Sequence, residues 1–129
     1  MNQAPGLIAL VGSGEYLPVM LEVERELLMG RSNKYVQIPL AAGLESDESM
    51  DYWVKLGQEQ AERLGVEAVS IRIRDKGDAN DPAHAALVKG AGLIYLSGGN
   101  PSHLAKSLHD TILWRAIVRE WQSGAALAG

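Results

Sequence analysis

Two glycine-rich segments of this 129-residue chain carry the residue types that could hold a ligand. In Gly98-Gly99-Asn100, the paired glycines let the backbone turn sharply and approach a ligand with no Cβ in the way. A helix beginning after Asn100, with Pro101 at its first position, would add unpaired N–H groups that suit a carboxylate, a phosphate or an oxyanion. The segment indicates an anion-binding turn, and an ordinary strand-to-helix turn capped by asparagine is an equal alternative.

The second segment, Gly12-Ser13-Gly14-Glu15, allows the same interpretation and adds a carboxylate. It is not a dinucleotide-binding fingerprint, because Leu17 stands where G-x-G-x-x-G needs its third glycine. The chain also has no G-x-x-x-x-G-K-[ST] phosphate loop. The sequence therefore gives little support for a bound nucleotide.

The histidines and serines form no familiar catalytic or metal-binding pattern. His103 lies beside the double glycine and could face a ligand, whereas His84 and His109 are expected at the surface. No H-E-x-x-H spacing and no G-x-S-x-G nucleophile elbow is present, and without cysteine there is no thiolate or disulfide. Neither a metal nor a cofactor is expected. The candidate residues are Gly98, Gly99 and Asn100 in the binding turn, with Gly12, Ser13, Gly14, Glu15 and His103 as lining of its pocket.

The composition is that of an ordinary globular domain. Apolar residues make up 47% and charged residues 22%, which is enough apolar surface to form a core. With 12 basic and 16 acidic residues, the net charge of −4 disfavours a nucleic acid or an anionic membrane as partner. No apolar run approaches the about 20 residues of a membrane span, and residues 1–5 lack a secretory signature. We therefore expect a single cytoplasmic domain over residues 1–129.

Apolar runs alternate with helix-type periodicity along the chain. Strands are predicted over residues 7–11, 35–40, 66–73, 93–96 and 125–129. Helices are predicted from Pro18 to Gly30, from Ser46 or Ser49 to Gly65, over residues 83–89, after Asn100, and from Asp110 or Thr111 to Gly124, with a solvated loop over residues 75–82. The first strand is expected to be buried, and the third to lie at a sheet edge because it is polar on one side. Met20, Val23 and Leu27 are expected on the inner face of the first helix.

Strands separated by helices predict an α/β fold, a doubly wound and mostly parallel sheet with helices on both faces, similar to flavodoxin. Ligands bind such sheets at the carboxyl ends of the strands, where both glycine-rich segments fall. Because the chain stops at its fifth strand, we expect the front part of a larger fold. A complete small domain that lacks only its last helix is the alternative. We also expect an uncovered fifth strand, Ile117 and Trp121 to leave apolar surface, so that the chain self-associates.

Four segments in order carry a family resemblance: residues 10–15 (Leu-Val-Gly-Ser-Gly-Glu), 38–42 (Ile-Pro-Leu-Ala-Ala), 95–101 (Tyr-Leu-Ser-Gly-Gly-Asn-Pro) and 124–129 (Gly-Ala-Ala-Leu-Ala-Gly). Together they resemble the cyanophycinase and peptidase E family of serine peptidases, within the class I glutamine-amidotransferase-like fold. The resemblance spans nearly the whole chain. It implies a nucleophilic serine in a turn directly after the fifth strand, beyond Gly129, with the histidine base and its acidic partner further along.

The resemblance also implies a role for the Gly98-Gly99 turn. In relatives this glycine pair lines the nucleophile and is placed to give a backbone donor to the tetrahedral oxyanion, and Asn100 matches the polar residue after it. Pro101 and Ser102 depart from some relatives, so the turn does not indicate the substrate. No cofactor is implied.

Two functions follow from these observations. The first is a serine hydrolase that cleaves a peptide or isopeptide bond near an acidic residue, with the nucleophile beyond residue 129, so that the 129-residue chain alone is inactive. The second is a non-catalytic α/β module that binds a small anion. A relative that keeps the fold for assembly without catalysis is a third alternative. The expected partners are a peptide or small-molecule substrate and a second copy of the chain, and neither nucleic acid nor membrane.

Overall fold

Five short segments form strands in the computed structural model, which describes residues 4–129. They are β1 (Ile8–Ala9), β2 (Lys34–Ile38), β3 (Glu67–Ser70), β4 (Leu93–Leu96) and β5 (Ala126–Ala128). The strands form one sheet in the order β1-β5-β4-β2-β3, and every neighbouring pair is parallel. The predicted parallel α/β sheet is therefore confirmed. Of residues 1–5, in which no secretory signature was found, residues 1–3 lie outside the described part of the chain.

Six α-helices connect these strands. They are α1 (Leu21–Leu28), α2 (Asp47–Leu64), α3 (Lys76–Ala79), α4 (Pro82–Ala86), α5 (Pro101–Leu108) and α6 (Ile112–Gln122), and a 3₁₀ turn over Pro18–Met20 leads into α1. Side chains cap the starts of α2, α5 and α6. At α2, the Ser46 hydroxyl accepts from the backbone N–H of Ser49 at 3.2 Å. At α6, the Thr111 hydroxyl accepts from the backbone N–H of Trp114 at 3.2 Å. Asn100 accepts from the N–H of His103 at 3.0 Å. These caps decide where the helices begin, because each satisfies an N–H group that the helix leaves unpaired.

Alternation along the central strands divides the core into two layers. On β4, Leu93 and Tyr95 pack on the face covered by α1 and α2, whereas Ile94 packs on the face covered by α5 and α6. Successive side chains of a strand point to opposite faces, so a strand buried on both sides must be apolar throughout. This arrangement is the doubly wound fold expected from the sequence.

Strand β1 differs from the expectation of a buried strand over residues 7–11. Only Ile8–Ala9 has strand structure. Leu7, Ile8 and Leu10 are 49%, 53% and 91% exposed. The reason is position, because β1 lies at the sheet edge and pairs only with β5. By contrast β3 lies at the opposite edge, as its polar face predicted.

Two further expectations are wrong in detail. The segment 75–82, predicted as a loop, contains α3, which forms because the Asp75 carboxylate accepts from the N–H of Asp78 at 2.9 Å. On α1, Val23 is 41% exposed and Glu24 takes the inner position, with 1% exposure. Within residues 4–129, no helix has both the length and the apolar character needed to cross a bilayer.

The exposed apolar surface agrees with the expectation at the fifth strand but not at Ile117 and Trp121. Ile117 is fully buried, and half-buried Trp121 donates its Nε1–H to the carbonyl of Gly6 at 2.9 Å. At the fifth strand, an apolar groove of about 240 Å³ runs beside β1 and one face of β5. It is lined by Ile8, Ala9, Leu10, Leu96, Leu104, Leu127, Ala128 and Gly129.

We expect the 129-residue chain to self-associate through this groove, because exposed contiguous apolar surface at a sheet edge favours association. Leu10→Lys should shift the chain toward monomer in sedimentation equilibrium. Met29→Lys is the control, since Met29 is 73% exposed but does not line the groove. A wild-type chain that stays monomeric at every concentration would contradict this expectation.

Candidate functional site

The strand order reverses between β2 and β4. From β2 the chain continues outward to β3, and from β4 it continues in the opposite direction to β5. Ligands of open α/β sheets bind at the carboxyl ends of strands at such a switch point. The segments that follow these two strands are a 3₁₀ turn over Leu40–Ala42 and the glycine pair Gly98-Gly99.

The Gly98-Gly99 turn lies directly against the turn that follows β2. Gly99 has φ +152°, and a Cβ there would lie 2.5 Å from the carbonyl carbon of Ala41 and 2.8 Å from the amide nitrogen of Ala42. Next in the chain, the Asn100 N–H donates to the Ala41 carbonyl at 2.8 Å. Both the conformation and the close approach therefore require glycine at position 99.

The amides of the glycine pair are available to a ligand. Within residues 4–129, neither the Gly98 nor the Gly99 N–H has a hydrogen-bond acceptor. Gly98 is half-buried and Gly99 is exposed, so a ligand can reach both. Helix α5 begins directly afterwards, and its amino end adds a partial positive charge. The turn can thus hold a carbonyl oxygen or an oxyanion.

The loop after β1 brings one carboxylate to this turn. Gly12 and Gly14 have φ values of +74° and +76°, which curve the chain back over the sheet edge. As a result, Glu15 Oε1 lies 2.6 Å from the position that a Cβ on Gly98 would take. A Cβ at position 98 would therefore displace the Glu15 carboxylate, which ends a flexible side chain. Gly12 and Ser13 are exposed, and Gly14 is half-buried.

Gly129 lies at the same edge of the sheet. Its N–H donates to the Ala9 carbonyl at 3.1 Å, and its own carbonyl accepts from the Val11 N–H at 2.7 Å. A Cβ on Gly129 would lie 3.0 Å from the carbonyl oxygen of Leu96. The end of β5 is thus beside the end of β4, next to the segment that leads into the glycine pair.

The histidines lie apart from this turn's free amides. His103 Nε2 is 2.6 Å from the Arg74 carbonyl and donates to it, which connects α5 to the segment after β3. His84 Nδ1 is 2.8 Å from the Asp78 carbonyl, and His109 is exposed. Among residues 4–129, no group of three or more histidine, aspartate or glutamate side chains could hold a metal ion.

Comparison with known proteins identifies the family. Residues 7–129 match the sequence profile of peptidase family S51. The chain belongs to this family. The crystal structure of a peptidase from an acI-B1 Actinobacterium is 45% identical, covers 97% of the chain and has a TM-score of 0.93. A Listeria monocytogenes EGD-e protein described as peptidase E is 24% identical over 98% of the chain, and its TM-score of 0.65 reflects a shared fold.

The S51 chain spans about half the length of these solved structures, 53% of the first and 58% of the second. No curated protein sequence matches it. At the level of the family, the resemblance to peptidase E is confirmed.

Sequence reasoning missed a buried polar cluster beneath the glycine turn of this S51 chain. The cluster consists of Tyr16, Glu24, Tyr35, Gln60, Tyr95 and Ser97, all at most 1% exposed. The Tyr35 hydroxyl and the Gln60 Nε2 amide both donate to the Glu24 carboxylate. Glu24 is four residues after Met20 and three before Leu27, so helical periodicity already placed it on the inner face of α1. An acidic residue in that stripe is a signal that could have found the cluster.

Burial dominates the acid–base properties of the cluster. It raises the pKa of Glu24, against the opposing effects of the hydrogen bonds from Tyr35 and Gln60 and of the nearby Arg63 charge. It also raises the pKa values of Tyr16, Tyr35 and Tyr95. The tyrosine hydroxyls therefore stay neutral and act as hydrogen-bonding groups.

Proposed function

We propose that this S51 chain forms the front part of a serine peptidase-like hydrolase that cleaves peptide or isopeptide bonds near acidic residues. The nucleophile, its histidine base and the acidic partner are proposed to follow Gly129 in the longer protein. The observation that carries the proposal is the Gly98-Gly99 turn, whose unpaired amides lie at the switch point of the sheet. Gly129 at the same edge would place a following serine beside these donors.

In the proposed reaction, the serine oxygen attacks the substrate carbonyl carbon and the histidine takes the serine proton. The carbonyl oxygen becomes an oxyanion, which the Gly98 and Gly99 amides are placed to bind. The histidine then gives the proton to the leaving amine, and water hydrolyses the acyl-enzyme. A single preorganised donor of this kind contributes about 3–4 kcal/mol to transition-state stabilisation in serine hydrolases. The proposed role of this chain is thus to stabilise the negative charge of the oxyanion through the Gly98 and Gly99 amides.

The test compares the 129-residue chain with the longer protein that contains it. Both are incubated with an Asp-X dipeptide and with an isopeptide formed through an aspartyl side chain, and the released amine is measured. We expect hydrolysis by the longer protein and none by the 129-residue chain. The proposal fails if the longer protein hydrolyses neither substrate, or if the 129-residue chain hydrolyses one at a rate that survives replacement of each of its serines.

The alternative is a non-catalytic anion-binding module that uses the same turn. The Glu15 carboxylate beside Gly98 is a like charge for a free anion and for an oxyanion alike, so it does not decide between the two functions. Titration of the 129-residue chain with phosphate, followed by calorimetry, distinguishes the two functions. Binding of phosphate together with inactivity of the longer protein would favour the module.

A further inference from the structure

We propose that the apolar groove beside β1 and β5 holds a helix that follows Gly129 in the longer protein, and that this helix leads to a sixth strand paired with the open edge of β1. The solved relatives have chain to supply both elements, since this chain covers only 53% and 58% of their lengths. The inference rests on the proposed function only in placing further chain after Gly129. It does not depend on catalysis.

Strand β5 is covered on one face and open on the other. Ala126 and Ala128 point to the face that carries Tyr95, α1 and α2 (the Tyr95 face), and each is at most 1% exposed. Leu127 points to the face that carries Ile94, α5 and α6 (the Ile94 face), and it is only half-buried. On that face, residues 4–129 leave the groove of about 240 Å³.

The lining of the groove is apolar throughout. Ile8 lies opposite Leu127 in the parallel register, so the two side chains share the Ile94 face. Leu96 at the end of β4 and Leu104 on α5 continue the lining, and Leu10, which is 91% exposed, extends it past the end of β1. Such a surface suits the apolar stripe of an amphipathic helix, which needs a partner of this kind to be buried.

The connections between the strands all have the same hand. Those that run toward β1, from β3 to β4 and from β4 to β5, place α3, α4, α5 and α6 on the Ile94 face. Those that run away from β1, from β1 to β2 and from β2 to β3, place α1 and α2 on the Tyr95 face. Crossovers between parallel strands are right-handed in nearly all proteins, so the next connection is expected to follow the same rule.

This rule locates the next helix. The open edges of the sheet are β1 and β3. A connection from β5 to the edge of β1 runs in the same direction as the one from β4 to β5, so its helix falls on the Ile94 face, where the groove lies. A connection to the edge of β3 would need the Tyr95 face, which α1 and α2 already cover. Gly129 itself lines the groove, so the residues after it begin there.

The outer edge of β1 is free to pair with another strand. The N–H groups of Leu127 and Gly129 donate to the carbonyls of Leu7 and Ala9. The alternate groups, those of Ile8 and Leu10, therefore point away from β5. The Leu10 N–H has no acceptor among residues 4–129. An edge of this kind is a template for a further strand.

Hydrogen exchange at single amides tests the proposed strand. The 129-residue chain, at a concentration where it is monomeric, is compared with the longer protein. We expect the Ile8 and Leu10 amides to exchange at least about tenfold more slowly in the longer protein, because a paired edge amide exchanges only when the sheet opens.

The outer edge of β3 supplies the matched control. Glu67 and Ile71 donate their N–H groups to β2 and the residue before it, so Ala68 and Ser70 point to the open side. Their exchange should be the same in both proteins. Slower exchange at Ala68 and Ser70, with none at Ile8 and Leu10, would place the added strand at β3 and overturn the proposal.

Leu10→Cys tests the helix in the groove. The 129-residue chain contains no cysteine, so maleimide should modify this exposed position rapidly and alone. In the longer protein, the reaction at position 10, followed by peptide mass spectrometry, should be at least about tenfold slower. Met29→Cys is the control, since Met29 is 73% exposed and does not line the groove, and it should react equally fast in both proteins.

Equal rates for Leu10→Cys in the two proteins would refute the proposed helix. Protection that disappears when the longer protein is diluted would assign the groove to a second copy of the chain, and would refute it as well. Neither measurement requires activity. An inactive longer protein that protects Leu10 would therefore contradict the proposed function and leave this inference standing.

Discussion

Gly99→Ala is expected to displace the turn after β4 and to have the largest effect of any single methyl group at this site. The added Cβ would lie 2.5 Å from the Ala41 carbonyl carbon and 2.8 Å from the Ala42 nitrogen. Those neighbours are backbone atoms of residues at most 2% exposed, so they cannot move aside as a flexible side chain would. The turn must move instead and lose the Asn100-to-Ala41 hydrogen bond.

This displacement should lower the free energy of unfolding by about 1–3 kcal/mol, the usual cost of overpacking or of local backbone strain. In the longer protein, kcat should fall at least about 100-fold, since the loss of one oxyanion donor has that effect in serine hydrolases. Urea denaturation of the 129-residue chain and kinetics of the longer protein measure the two quantities.

Gly90→Ala is the matched control for this variant. Gly90 is also left-handed, with φ +78°, but nothing lies within 4 Å of a Cβ there. It should share the conformational penalty without the steric contact and leave kcat unchanged. Equal losses of stability in both variants would show that left-handed strain alone, and not contact with Ala41, explains the need for glycine at position 99.

Glu24→Ala is expected to be the most destabilising change in the buried polar cluster. It leaves the Tyr35 hydroxyl without its acceptor, and it removes one of the two acceptors of the Gln60 Nε2 amide, which keeps the Leu17 carbonyl at 3.2 Å. Each buried donor without a partner costs about 1–3 kcal/mol. Glu24→Gln should be tolerated, because its amide group can donate to the Tyr35 oxygen while its carbonyl accepts from Gln60. Denaturant unfolding at pH 7 measures both changes in the free energy of unfolding.

The difference in the free energy of unfolding between wild type and Glu24→Gln should change with pH in one direction. Burial raises the pKa of Glu24 in the folded state, so the folded chain keeps this proton to higher pH than the unfolded chain does. The stabilising contribution is complete below the pKa of an ordinary glutamate, about 4.3, and is lost as the pH rises through the folded-state value. Stability of Glu24→Gln relative to wild type should therefore increase from pH 4 toward neutrality.

Glu26→Gln serves as the control, since Glu26 is exposed on the same helix. It removes the same formal charge from an exposed position of α1. A relative stability of Glu24→Gln that is flat or falls with pH would mean that the carboxylate is favoured in the folded state. The hydrogen bonds from Tyr35 and Gln60 would then outweigh burial.

Local chemistry determined most of the framework of this protein. The apolar run of Leu93–Leu96 has the same bounds in sequence and structure, because a strand buried on both faces must be continuously apolar. The caps at Ser46 and Asn100 were predictable, since a short polar side chain next to a helix start satisfies a free N–H. The S51 resemblance rested on the glycine-rich segments. Their role depends on the absence of a Cβ, and glycine, the residue that lacks one, can be identified directly from the sequence.

Tertiary structure decided what these local patterns could not. Residues 7–11 are as apolar as a buried strand, yet their position at the sheet edge exposes Leu10. The approach of Glu15 to Gly98, and of Tyr16 to Tyr95, joins segments some 80 residues apart in the chain, so no local spacing encodes it. The sequence made His103 a candidate ligand-facing residue. In the structure, its ring donates to the Arg74 carbonyl instead. The packing of the whole sheet decides which polar groups are buried and which groups they contact. That packing determines the position of the Gly98-Gly99 turn and the burial of the Glu24 carboxylate beneath it.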